Sequence, residues 1–449
     1  MRRRSLSSPL RGPTRREILA GAGAGVLALG AMPAAASVPS DPDVVIIGAG
    51  AAGLGAARTL MAQGASVAVI EARNRIGGRA YTDHDMFGVP YDTGCHWLHV
   101  AQLNPFVDFA KVNGYQVYPA HDDFQLFVDG KTAPWEKDDL LDTYYSMIYA
   151  ISDAGMDERD VSAGSVVSRR GPWAPLAEAW IGPWASGKEL DEISCADWYN
   201  YEDGPDWFCT QGFGALIAHY GAGIPVELET PATTVRWGGS GVEVESPAGT
   251  IHAKAVIVTV STGVLAADDI AFEPALPIAK QESFRYISMG TYNNIALYFS
   301  EDVFGLGQDA YVHRQIESTQ STGFLSNISG SNLVFGHTGG REGRMLERAG
   351  VEAAVDFGLS EVRKFLGSSI DKKFIKGNFT RWGHDPWTRG SVASADPGYT
   401  HLRATLREPV AEKVFFAGEA CGEMLWGSCA GALESGVLTA RDALRAVMR

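Results

Sequence analysis

The stretch that most constrains this chain reads Val44-Val45-Ile46-Ile47-Gly48-Ala49-Gly50-Ala51-Ala52-Gly53, runs on through alanine-rich sequence to Gln63, and closes in Ser66-Val67-Ala68-Val69-Ile70-Glu71. A short apolar run, a Gly-x-Gly-x-x-Gly turn, a helix-forming segment and a second apolar run ending in an acid make one strand–helix–strand unit that holds a dinucleotide. Gly48 permits the tight turn and Gly50 lets backbone approach a pyrophosphate. Gly53, with Ala52 beside it, lets the helix pack close to the strand while its first N–H groups face phosphate charge. Glu71 is placed to accept hydrogen bonds from a ribose. A ligand-free β–α turn is the plain alternative, and the full order of strand, glycines, helix, strand and acid argues against it.

At 449 residues the chain exceeds the usual size of one core, which predicts two domains. Ahead of the dinucleotide unit stand Arg2, Arg3, Arg4, Arg11, Arg15 and Arg16, an uncharged small-residue run at 20–32, and then Pro33-Ala34-Ala35-Ala36-Ser37. That is the order of a secretory leader with an Ala-x-Ala cleavage site. Thr14-Arg15-Arg16-Glu17-Ile18-Leu19 resembles the twin-arginine signal, an address read by an exporter of folded proteins. The reading is a leader over 1–36, cleaved near Ala36, that brings the twin-arginine machinery as a partner and the periplasm as destination. An uncleaved anchor is the alternative, although the run is shorter than the roughly 18 apolar residues a span needs. Export after folding suits a protein that takes up a cofactor beforehand.

The formal charge is −15, and removing 1–36 takes away six Arg and one Glu, a net +5, to leave −20. Such acidity excludes nucleic acid as the default partner and favours cationic ligands; a solubilising acidic surface is the plainer reading. Cys95, Cys195, Cys209, Cys421 and Cys429 lack the spacing of a zinc site or a Cys-x-x-Cys motif. An odd number leaves at least one free thiol in an oxidising compartment. Cys421 with Cys429 is one candidate pairing among those that sequence leaves open.

After Glu71 comes Ala72-Arg73-Asn74-Arg75-Ile76-Gly77-Gly78-Arg79, where Arg79 beside the glycine pair can supply the charge-assisted donors that two phosphates need. Glu71 through Arg79 resembles the E-A-x-x-R-x-G-G-R signature of the flavin-dependent amine oxidases, which comprise monoamine oxidases, polyamine oxidases and lysine-specific histone demethylases. The resemblance implies that the dinucleotide is FAD, contacted by Gly48, Gly50, Ala52, Gly53, Glu71, Arg73, Gly78 and Arg79. No cysteine stands where the monoamine oxidases link their flavin, which implies non-covalent binding. Tyr91-Asp92-Thr93-Gly94-Cys95-His96-Trp97-Leu98-His99, then Asn104-Pro105, resembles the D-x-G-x-x-W-x-H…N-P segment of the polyamine-oxidase and demethylase branch. It implies that His96 and Trp97 adjoin the flavin and that His99 faces the substrate. By residue type alone, His99 is as much a structural histidine as a substrate-facing one.

Residues 105–207 read as helical and aromatic, broken by Gly-Pro turns at 171–172, 182–183 and 204–205, and predict a helical insertion over the cofactor. Its aromatics are mostly core, and the pairs Asp122-Asp123 and Asp138-Asp139 either attract a polyamine or are solvated surface. A helix at 211–221 and strands at 226–230, 233–237, 242–245 and 251–260 follow. By the resemblance this section returns to the FAD domain, with the backbone of Val235 holding the adenine and Ser261-Thr262-Gly263-Val264-Leu265 matching a P-x-G-V-L turn with Ser261 for proline. Strands at 293–299, 323–329, 332–337 and 373–381, with a helix near Val351–Leu366, predict a sheet-based substrate domain. The fold class is therefore α/β: a Rossmann-type FAD-binding domain from 37–100, 208–282 and 380–449, discontinuous, with a mixed-sheet plus helical substrate domain from 101–207 and 283–379.

Most members of the family carry in the first of these strands a Lys that reaches the flavin N5 through a water and is credited with assisting O2; the aligned residue is Asn294. A cation there would stabilise developing superoxide, and an amide supplies only a dipole. Trp382, in a segment resembling W-x-x-D-P-x-x-x-G-S, takes a flavin-side place. Val414-Phe415-Phe416-Ala417-Gly418-Glu419 and Gly431-Ala432-Leu433-Glu434-Ser435-Gly436 resemble the closing signature, which implies that Gly418, Glu419 and Cys429 contact the cofactor near the last helix. Ser428 and Val392 stand where the family has aromatic residues around the amine, and Trp426 is close enough in sequence to form one wall.

The function these residues imply is an exported FAD-dependent amine oxidoreductase. It moves a hydride from the carbon next to an amine nitrogen to flavin N5, giving an imine that water hydrolyses to an aldehyde or ketone plus an amine. Positioning carries this chemistry, and neither a nucleophile nor a metal is needed. His99, Asn294 and Trp382 stand nearest the chemistry, and Val392, Trp426 and Ser428 shape the pocket. A polyamine oxidised with O2 to give H2O2 is the favoured reading. The alternatives are a dehydrogenase passing electrons to a cytochrome or quinone, an L-amino acid or alicyclic amine as substrate, and a non-catalytic flavin-binding protein. The partners implied are the amine, the electron acceptor, the export machinery and a second copy in a homodimer.

Overall fold

In the computed structural model, residue 39 and residues 41–121 and 123–448 are described. The leader at 1–36 and Asp122 lie outside the described residues, among which no helix is long and apolar enough to cross a membrane.

The β-branched run Val44–Ile47 is the middle strand of a five-stranded sheet in the order Val414–Phe416, Ala255–Val258, Val44–Ile47, Val67–Ile70, Val226–Glu227. Every pairing is parallel. Parallel sheets are covered on both faces, and successive side chains here divide accordingly. Val44, Ile46, Val67, Val69, Ala255 and Ile257 join a core with the helices Ala51–Ala62 and Cys429–Val447. Val45, Ile47, Ala68, Ile70, Val256 and Val258 join a second core with Val235, Val242 and Val244. Those last three belong to a four-stranded sheet ordered Gly249–Ala253, Val242–Ser246, Thr234–Arg236, Ala271–Glu273.

Glycines set how closely the two covering helices approach. A Cβ on Gly53 would lie 1.9 Å from the Gly48 carbonyl oxygen, and one on Gly436 would lie 2.1 Å from that of Ala52. The first helix is thus seated on the turn that precedes it and the last helix on the first.

A seven-stranded sheet runs Phe374–Phe379, Tyr292–Phe299, Leu333–Gly339, Gly323–Ser326, Ala310–Arg314, Phe124–Val128, Lys131–Thr132. One pairing, Ala310–Arg314 with Phe124–Val128, is parallel and makes the sheet mixed. The helix Val351–Leu366, at its expected bounds, packs against it through Ala354, Val362 and Phe365.

Residues 105–207 correct the sequence reading. Helices Lys137–Met156, Ala174–Ile181 and Cys195–Asn200 form there, but so do strands Val117–Pro119, Phe124–Val128 and Lys131–Thr132. The turn between the last two is Asp129-Gly130, with φ of 48° and 71°, the conformation that two-residue hairpins demand. Aspartate and glycine tolerate it, and the Asp-Gly between apolar runs was the signal that the aromatic content obscured.

Candidate active site

A cleft opens along the carboxyl ends of the parallel strands. It is lined by Gly48, Gly50, Ala52, Glu71, Arg73, Gly78, Arg79, Gly418, Glu419, Ser428 and Cys429, so most of the expected cofactor residues converge from both ends of the chain. The two glycine clusters touch: Gly77 N–H donates to Ala49 O at 2.8 Å, and a Cβ on Gly78, at φ 60°, would lie 3.4 Å from the Gly50 Cα. Backbone without side chains on both sides leaves room for a phosphate chain.

Glu71 is buried, and its carboxylate accepts from Ala49 N–H at 2.8 Å and from Arg73 N–H at 2.9 Å. It shapes the turn as well as facing the cleft. Arg73 pairs through Nη1 with Asp385 at 2.8 Å, while its Nη2 is buried without a partner. A buried guanidinium donor left open beside a glycine cradle fits an oxygen-rich ligand, and so fits the FAD that the resemblance implies. Arg79 donates through Nη1 to Ser391 O at 2.6 Å and to Glu419 Oε1 at 2.8 Å, closing the cleft between its early and late segments.

Several expected contacts lie off this lining. Gly53 works behind the cleft as the close-packing glycine. His96 is buried, with Nδ1 2.8 Å from Asp92 Oδ2, and Trp97 donates its Nε1–H to Tyr311 Oη at 2.7 Å; both turn toward the seven-stranded sheet. Val235 is fully buried in a strand hydrogen-bonded on both edges, which leaves no free backbone edge for an adenine. Thr230, Pro231 and Ala232 line the cleft in its place. They are carried there because Thr230 N–H donates to Glu71 O at 2.8 Å.

Ser428 lines the cleft but is held as the N-cap of the last helix, accepting from Gly431 N–H at 3.0 Å and donating to Leu425 O at 2.7 Å. Trp426 is buried, with its ring edge-on to Tyr201 and beneath the Arg403 guanidinium, and its Nε1 has no partner. Val392 meets the backbone at Gly427, where an added Cβ would lie 2.8 Å from Val392 Cγ1. The three expected pocket residues therefore gather around one turn, 425–428.

Beside that turn lies a group that sequence spacing did not reveal. Asp206 Oδ2 is 3.0 Å from His99 Nδ1, and Asp206 Oδ1 accepts from Val100 N–H at 3.3 Å. Burial disfavours the imidazolium, but the Asp206 carboxylate outweighs it and holds His99 above its ordinary pKa. Burial likewise works against the Asp206 carboxylate, which His99 nonetheless holds below the usual range. Glu202 N–H donates to Met424 O at 2.8 Å, so the acidic segment 202–206 bridges His99 to the turn carrying Trp426.

Asn294 and Trp382 stand on the other side. Asn294 Oδ1 accepts from Tyr292 Oη at 3.2 Å and lies 3.4 Å from His337 Nδ1. Burial pushes His337 down to about 3, so no cation stands beside Asn294 from that quarter. Trp382 donates Nε1–H to Thr93 O at 3.2 Å, and its backbone N–H binds Asn293 Oδ1 at 3.1 Å. It thus ties the Asn294 strand to the Thr93-Gly94-Cys95 segment at the cleft wall.

The profile of the flavin containing amine oxidoreductases matches residues 51–444. The chain is 29% identical to polyamine oxidase 2 of Arabidopsis thaliana over 439 residues, covering 90% of this chain and 88% of that protein. Among solved structures, cyclohexylamine oxidase from Brevibacterium oxydans superposes with a TM-score of 0.76 at 22% identity, over 91% of this chain and all of that one. Wild-type putrescine oxidase bound to putrescine gives a TM-score of 0.76 at 20% identity, over 90% of this chain and 99% of that one. The structural likenesses bear on the fold.

Proposed function

We propose, since this chain belongs to the flavin containing amine oxidoreductases and is an FAD-dependent amine oxidase that holds its cofactor non-covalently, that its substrate is a polyamine-type cation. The observation that carries this reading is the acidic segment at 202–206, placed between His99 and the Trp426 turn. Bound in the cleft, FAD supplies the two-electron acceptor for a hydride from the carbon next to the amine nitrogen.

The protein's part is placement. The exposed Asp203 and the half-buried Asp206 give this segment a negative charge that favours a cationic chain. His99, whose protonated form Asp206 favours, discourages a second cation at that point, which orients the chain. Trp426 and Tyr201 offer apolar walls to methylenes. The acceptor in this reading is O2, reduced to H2O2. A second reading, transfer to a cytochrome or quinone, is supported by Asn294 and the neutral His337. Export through a twin-arginine leader cleaved near Ala36 belongs to the same proposal, and the N-terminal sequence of the mature protein tests it.

The deciding experiment mixes the flavin-loaded protein anaerobically with polyamines, monoamines and L-amino acids and follows the flavin band. Bleaching by a polyamine at lower concentration than by a monoamine of equal chain length supports the reading. Bleaching by an L-amino acid or an alicyclic amine alone overturns it.

A further inference from the structure

The described cysteines are all free thiols, and two of them meet in the cleft. Cys95 follows the strand Tyr91–Asp92, and Cys429 is the first residue of the last helix. They are separated by 334 residues, yet their Sγ atoms are 3.1 Å apart and both line the cleft. Cys421, the partner weighed for Cys429 from sequence, is buried elsewhere. A disulfide bond of about 2.05 Å asks the two sulfurs to close by only about 1 Å.

We propose that Cys95 and Cys429 are a peroxide-oxidisable dithiol whose disulfide joins the wall of the cofactor cleft to the N-terminus of the last helix. Their roles differ. Cys429 Sγ–H donates to Cys95 Sγ, which, with Arg79 and His99 nearby, favours the thiolate at Cys95 against the cost of burial, while the same bond and burial together keep Cys429 a thiol. Cys95 is also the more exposed of the two. The remaining thiols are poor competitors: burial pushes Cys195 up to about 11, and Cys209 and Cys421 up to about 12.

The chemistry balances with a peroxide as the named oxidant. Cys95 thiolate attacks one oxygen of H2O2, the O–O bond breaks, and the departing hydroxide takes a proton to become water, leaving a sulfenic acid on Cys95. Cys429 Sγ then attacks that sulfur and displaces hydroxide, which takes the Cys429 proton as a second water. Two thiols and one H2O2 become one disulfide and two waters. The inference stands on the geometry of the pair and not on which amine the site takes.

The test treats the flavin-loaded protein with H2O2, alkylates the denatured chain with N-ethylmaleimide, and maps non-reduced peptides by mass spectrometry. The expected result is loss of two of the five alkylated positions, a cross-linked Cys95–Cys429 peptide lighter by two hydrogens, and recovery of both thiols with dithiothreitol. Full alkylation of all five after peroxide, or a sulfinic acid on Cys95 with Cys429 still a thiol, overturns the proposal. In Cys429→Ser, Cys95 is expected to pass on to sulfinic acid for want of a resolving thiol. Should that variant not fold, the wild-type map decides alone.

Discussion

Arg79 and Glu419 are 340 residues apart in sequence and joined at 2.8 Å, Nη1 to Oε1. Their side chains are 20% and 8% exposed, so the pair is largely removed from water. It connects the glycine-rich beginning of the cofactor cleft to its end, and Ser391, whose carbonyl Arg79 also binds, is held in the same grip.

Replacing Arg79 with methionine leaves the Glu419 carboxylate with only the Ala393 N–H, at 3.2 Å. Loss of a charged hydrogen bond in such a place costs about 1.5–3 kcal/mol. The urea midpoint of Arg79→Met should fall accordingly, and an unchanged midpoint would show that the pair contributes nothing net.

Glu71→Ala removes the acceptor for two backbone N–H groups of the phosphate-side turn. At about 1.4 kcal/mol per factor of ten in affinity, the loss of those charge-assisted bonds should weaken FAD binding roughly tenfold or more. The flavin-to-protein absorbance ratio after dialysis measures it; retention equal to wild type refutes the assignment.

Gly53→Ala and Gly436→Ala each drive a methyl into a backbone carbonyl, at 1.9 Å and 2.1 Å. Neither oxygen is on a flexible side chain, so the first helix must shift off its turn in one variant and the last helix off the first in the other, at a cost of about 1–3 kcal/mol. Both variants should show lowered thermal midpoints. A control at Gly64, with nothing within 4 Å of an added Cβ, should be affected only through its positive φ.

Asn294→Lys introduces a cation between Tyr292 and His337, a position that the neutral His337 leaves without charge. Electrostatic stabilisation of the oxygen reaction should then speed return of the flavin band in air by roughly tenfold or more. No acceleration would mean that this position does not govern oxygen reactivity.

The His99–Asp206 pair makes stability depend on pH at both ends. His99 is held above its ordinary pKa, so its contribution is complete below that value and disappears as pH rises through the raised one. Asp206 is held below its ordinary pKa, so its contribution is complete above that value and disappears as pH falls through the lowered one. The difference in thermal midpoint between wild type and His99→Asn should therefore be widest from the carboxylate range up to the histidine range and shrink on either side. A flat difference across a pH range that extends on both sides of the ordinary Asp and His values, about 3.9 and about 6.5, would refute the coupling.

What could be read from sequence and what could not divides along a physical line. Val44–Ile47, its glycine turn and Glu71 are contiguous, each residue type has one backbone purpose, and the order itself encodes the unit. The strand at Phe124–Val128 was obscured by aromatic neighbours that pack equally well on helices. Val235 matches the family pattern in sequence, and only the sheet shows that its strand is hydrogen-bonded on both edges while Thr230–Ala232 line the cleft. Asp206 reaches His99, and Cys95 reaches Cys429, through tertiary closure, which leaves no periodic trace along the chain.

That the cleft draws on Gly48–Gly50 at one end of the protein and Gly418–Cys429 at the other has a temporal meaning. A ribosome releases the first glycine turn hundreds of residues before the helix that completes its binding surface. The full set of cleft contacts is therefore available only once residues 418–429 have been synthesised.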